Sequence, residues 1–106
     1  MSTIEEKILE LRDRPQLILG EATIERLRLY LFGYEDAKRD NGLDVTQDEK
    51  FMENFQKYVK EYYNQEEAAL SWVSIIIKHN SGKDDKIILE LFYKLFDQFR
   101  KDRKDF

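Results

Sequence analysis

Proline occurs once in this chain, at position 15, and it dictates where the first helix must stop. The residue before a proline avoids the α region, so Arg14 is expected to be extended. The segment Arg14-Pro15-Gln16-Leu17-Ile18-Leu19-Gly20 then carries an apolar run into a glycine. Everything after it reads as amphipathic helix. The fold expected is all-α: a compact bundle of four to five helices with a short irregular clasp over residues 14–22. Alternate residues of an extended segment share a side, so Leu17 and Leu19 are expected to pin the clasp into the core.

Helical periodicity sets out the rest. A first helix over 3–13 takes Ser2 or Thr3 as its cap, with Glu5 and Glu6 in the first turn and Ile4, Ile8 and Leu11 on one stripe. A second runs from Thr23 to about Asp40, with Ile24, Leu27, Leu31 and Tyr34 on its stripe, and ends at Asn41-Gly42. Gly33 interrupts it at about 1 kcal/mol relative to alanine, which predicts close approach of another element. Thr46-Gln47-Asp48-Glu49 is expected to form a capping box opening a third helix over 47–63, with Phe51, Phe55, Val59 and Tyr62 on one face.

A fourth helix over 66–79 is apolar around most of its circumference, which predicts a central position. Its β-branched run Val73, Ile75, Ile76, Ile77 also permits a strand. The fifth, over 84–101, carries Ile87, Ile88, Leu91, Phe92, Leu95, Phe96 and Phe99. The charged tail, about 100–106, is expected to fray. The 106 residues make one domain, large enough for a core without metal or disulfide staples.

The chemistry classes narrow quickly. There is no cysteine, so disulfides, thiolate zinc sites and thiol catalysis are excluded. Ile4-Glu5-Glu6-Lys7 breaks any N-terminal apolar stretch, and no apolar run approaches the ~20 residues of a membrane span, so a cytoplasmic protein without a signal peptide is expected. His79, the single histidine, has no nucleophile in a recognisable motif and reads as a helix C-terminal residue favoured by the dipole. An EF-hand register beginning at Asp40 puts Phe51 at the twelfth position and the glycine at the third, so it fails. Gly20 and Gly33 belong to no phosphate-binding loop. The pairs Glu5/Glu6, Asp48/Glu49 and Glu66/Glu67 sit at expected helix starts. No catalytic residue, cofactor or metal ion is expected.

What remains is binding. The net charge of −4 disfavours nucleic acid and suits a basic protein partner. Residues 35–53 hold seven acidic against three basic side chains, an excess equal to that of the whole chain. Asp36, Asp40, Asp44, Asp48 and Glu49 are therefore the expected partner-facing acids. Tyr58, Tyr62 and Tyr63 are the expected aromatic contacts, because rings with a polar handle are enriched at binding hot spots; core packing with the hydroxyl at the surface is the competing role for them.

The ordered set Arg14-Pro15, the apolar run ending in Gly20, Leu27, Leu31, Gly33-Tyr34, Phe51, Phe55, Val59, Tyr62, Ser71-Trp72, Ile75-Ile76, Leu91-Phe92, Leu95 and Phe99 resembles small bacterial proteins of the immunity type, with Ile18 where that pattern has an aromatic. The resemblance implies neutralisation of a cognate toxin by direct contact, without catalysis. The alternative is a non-catalytic structural or regulatory helical module, with a homodimer possible through the tyrosine-rich face of the third helix.

Overall fold

Five helices form among the residues described by the computed structural model, which are 1–16, 20–66 and 69–103. They are α1 (Ile4–Asp13), α2 (Ile24–Asp40), α3 (Thr46–Tyr62), α4 (Trp72–His79) and α5 (Asp85–Asp102), with no strand among those residues. The all-α reading holds, and residues 72–79 are helix rather than strand.

Local chemistry accounts for most of the ends. Thr3 closes a full capping box on α1: its hydroxyl accepts from Glu6 N, and Glu6 in turn accepts from Thr3 N at 3.0 Å. Arg14 leaves the helix at φ −140°, as a residue before proline should. Pro15 and Gln16 turn back into helical conformation, where an irregular or extended start was expected. Leu17 and Leu19, the expected pins of the clasp, lie outside the described residues. Gly20 has φ +76°, the left-handed region that favours glycine. Thr23 caps α2 and Asp84 caps α5.

Two boundaries depart from expectation. Thr46 does not cap α3. It is the first helical residue, and its amide and hydroxyl both donate to Asp44 Oδ1, at 2.9 and 2.6 Å. The earlier aspartate wins because its carboxylate takes both donors at once. α4 begins six residues later than expected, at Trp72, with Ser71 as its cap. The reason is tertiary: the Gln56 side chain on α3 accepts from Trp72 N and donates to Leu70 O at 2.9 Å. That amide satisfies backbone groups that a longer helix would have had to pair internally.

The core follows the stripes. Ile4, Ile8 and Leu11 of α1, Ile24, Leu27 and Leu31 of α2, and Phe51, Phe55 and Val59 of α3 are buried together with most of the apolar face of α5. Phe55 is the hub: its ring lies 5.4–5.6 Å from Trp72, Phe92 and Phe99 in edge-on geometry. α4 buries Trp72, Val73, Ile75 and Ile76 but exposes Ser74, Lys78 and His79. It is therefore a one-sided helix, and the centre belongs to α3 and α5.

The expected fraying of the tail is also corrected through residue 103. Arg100 Nε reaches Glu5 Oε2 at 2.7 Å, and Arg103 Nη2 meets both Glu5 oxygens at 2.8 Å. Burial pushes the Glu5 carboxyl up, but the hydrogen bonds and charges of Arg103 and Arg100 together outweigh it and leave its pKa lowered. At the other end of α1, Arg12 Nη2 reaches Asp97 Oδ1 at 2.7 Å, and midway along the helix Tyr93 Oη donates to Ile8 O at 3.0 Å, with burial pushing the Tyr93 pKa to about 12. α1 is thus tied to α5 at both ends.

Gly33 contradicts its expected role. A methyl group there would meet no atom within 4 Å, so no helix crosses at that point. The position is an exposed helix interior, where alanine outranks glycine through backbone entropy. Gly33→Ala is therefore expected to stabilise the protein by up to ~1 kcal/mol, read as a higher urea midpoint at unchanged slope.

Candidate functional site

The acidic stretch folds into the turn between α2 and α3. Asn41 closes α2, its side chain donating to Ala37 O at 2.7 Å, and Leu43 N returns to Lys38 O at 2.9 Å. Gly42 takes φ +73° between them. The turn is anchored from beneath by a buried ion pair. Lys38 is 6% exposed and Asp48 3% exposed, and Lys38 Nζ donates to Asp48 Oδ2. Asp48 Oδ1 also accepts from Ile4 N at 3.0 Å, the free amide at the start of α1. Lys38 Nζ and Tyr34 Oη both donate to Ser2 O, at 3.2 and 2.6 Å. One lysine and one aspartate thus fasten the N-terminal residues to both helices of the turn.

Asp48 is therefore not a partner-facing acid. Its carboxylate is satisfied internally by an ammonium and a helix N-terminal amide, and it has almost no exposed surface. A signal for this existed in the sequence. Lys38 continues the α2 stripe four residues past Tyr34, and Asp48 precedes Phe51 by three on the α3 stripe. Opposite charges on two apolar stripes either side of a short turn can be buried only against each other.

Burying one residue of each sign leaves the surface excess of the segment unchanged. Asp36, Asp40, Asp44 and Glu49 are exposed at or near the turn. Arg39 sits among them, with Nη atoms 3.5 Å from Glu35, 3.8 Å from Asp36 and 3.6 Å from Glu49. The hydroxyl and amide of Thr46 lower the pKa of Asp44. Leu43, 40% exposed, stands between Asp40 and Asp44. The turn thus carries an exposed apolar side chain in a segment rich in exposed carboxylates.

The tyrosines do not form one face. Tyr58 packs on Phe99 at 5.5 Å and points its hydroxyl toward Asp102 at 3.4 Å, on the α5 side of α3. Tyr62, 59% exposed, stands edge-on to Tyr63 at 4.9 Å. Tyr63 stacks on His79 at 4.6 Å and accepts from Asn80 Nδ2 at 3.0 Å. His79 is the last residue of α4, as expected, and its Nε2 lies 3.1 Å from Gln65 Oε1. Tyr62, Tyr63 and His79 make a small aromatic step that sequence spacing alone did not assemble.

Among the described residues, no group of three His, Cys, Asp or Glu side chains is placed to hold a metal ion, and no helix is long and apolar enough to cross a membrane. No family model matches this chain, and neither a curated protein nor a solved structure matches it.

Two expectations follow. Lys38→Met or Asp48→Asn alone should destabilise by about 3–5 kcal/mol, because each strands a buried charge. Lys38→Met with Asp48→Leu should lose far less than the sum in urea melts. The second concerns Glu35, whose pKa is raised chiefly by burial, opposed by Arg39 and reinforced by Asp48 and Glu49. Its Oε1 is buried without a hydrogen bond among the described residues. A carboxyl with a raised folded pKa loses stability as pH rises through the window above its unfolded value. Glu35→Gln should therefore be more stable than the parent at neutral pH, with the difference closing under acid. Thermal melts across that range read the effect directly.

Proposed function

We propose that this chain is a non-catalytic binding protein of the immunity type, which neutralises a basic toxin domain through the acidic turn between α2 and α3. The supporting observation is Leu43, exposed on the same turn as Asp40 and Asp44 and followed by Glu49 in the first turn of α3, over the buried Lys38–Asp48 pair. An apolar contact within a charged rim is how protein interfaces are built. A one-sign rim also steers an oppositely charged partner and sets its orientation. A preorganised turn loses little entropy on docking. The resemblance of the chain's apolar pattern to immunity proteins supports the same reading.

The test is charge reversal at Asp40, Asp44 and Glu49, leaving Asp48 in place because its loss would unfold the turn. Surface plasmon resonance against the toxin domain encoded by the neighbouring gene should show association slowed about tenfold or more at low salt. The advantage of the parent should shrink as ionic strength rises, and circular dichroism should be unchanged. Equal association rates at low salt would remove the turn from the interface. The exposed Tyr62, stacked against Tyr63, favours a second reading in which the aromatic step docks a partner of a regulatory helical module.

A further inference from the structure

The outer face of α2 carries two large apolar side chains that nothing in the fold uses. Leu29 is 59% and Phe32 63% exposed, one turn apart. Exposed apolar pairs of this kind on a small protein mark interaction surfaces. At 3.6 residues per turn, Glu25, Arg28, Leu29, Phe32, Asp36 and Arg39 all lie within about 60° of Phe32. All six are exposed. Gly33 flanks Phe32 with open space around it, which leaves bare backbone beside the ring.

The order of charge along this face is what identifies its occupant. Arg28 lies one turn before Phe32 and Asp36 one turn after it. Glu25 and Arg39 lie two turns before and after. Each sign is therefore mirrored by its opposite about Phe32. A second copy of the same helix, laid antiparallel with the two-fold axis at Phe32, brings Arg28 of one copy to Asp36 of the other, twice, and Glu25 to Arg39, twice. A parallel copy would set like against like. Arg28 has no ion-pair partner of its own among the described residues, and the Asp36 contact with Arg39 is long, at 3.8 Å. Both are available for the pairing.

From this self-complementary pattern we infer that the outer face of α2 is a homodimer interface, isologous and centred on Phe32. The two phenylalanines meet at the axis, each beside Gly33 of the other copy, and the leucines flank them. Closed two-fold dimers require this kind of self-matching patch. A single helix pair about 25 Å long makes a small interface, near the lower bound of about 1,000 Å² for a specific one. The dimer is accordingly concentration-dependent. This face is separate from the tyrosine-rich side of α3, and the inference does not depend on the toxin-binding reading.

Sedimentation velocity of the full chain at low salt, from micromolar to millimolar, tests it. The parent should pass from monomer to dimer, and Phe32→Asp should remain monomeric. Arg28→Asp and Asp36→Arg should each weaken association at least about tenfold, because each places like charges together twice. Mixing the two variants at equal amounts should restore a dimer, since every contact across the axis is then of opposite sign. Circular dichroism confirms that each exposed substitution leaves the fold intact. A parent that stays monomeric throughout overturns the inference and leaves the face to another partner. So does a dimer that survives Phe32→Asp, or a mixture of the charge variants that fails to associate.

Discussion

A buried ion pair organises this molecule. Lys38 and Asp48 lie on consecutive helices, either side of the five-residue turn 41–45, and each is closed off from solvent. A lone buried charge would be prohibitive, so the pair forces α2 and α3 into one relative position. Both groups also bond the N-terminal residues, Lys38 through Ser2 O and Asp48 through Ile4 N. Such a pair adds little net stability over a well-packed apolar substitute. What it adds is directional geometry: the ammonium faces a carboxylate and a carbonyl at once, and removing either charged partner strands the other.

The aromatic core works differently. Phe55 meets Trp72, Phe92 and Phe99 edge to face, and Phe51 meets Phe96 and Phe99 in the same way. These contacts come from three helices and supply much of the buried apolar area. The two systems divide the fold between them. The ion pair sets the α1–α2–α3 end, and the phenylalanine cluster sets α3 against α4 and α5. Arg100 and Arg103 on Glu5 join the ends by returning the last turn of α5 to the first turn of α1.

This division leaves two surfaces without internal work. The turn above the ion pair presents Leu43 among carboxylates, and the outer face of α2 presents Leu29 and Phe32 between opposite charges. Both depend on α2 being fixed from its other side by Leu27, Leu31 and Lys38. A helix held on one stripe can offer its opposite stripe as a rigid template, which lowers the ordering entropy of docking.

The helices themselves were legible because their causes are local. Stripes such as Ile24, Leu27, Leu31 and Phe51, Phe55, Val59 repeat within a few residues, and Thr3, Thr23 and Pro15 act on amides next to them. The chain's own periodicity thus determined five helices and most of the core. Tertiary structure decided the rest, because the partners lie far apart in sequence. Gln56 shortened α4 from across the bundle, Asp44 took the Thr46 amide and hydroxyl so that Thr46 became the first residue of α3 rather than its cap, and no neighbour filled the space beside Gly33. Of the expected binding residues, Asp48 went inward because a lysine on another stripe awaited it, and Tyr58 left Tyr62 and Tyr63 because Phe99 offered its ring a surface. Periodicity says which side of a helix is apolar, but only packing says what stands opposite that side, and therefore which charges and rings remain for a partner.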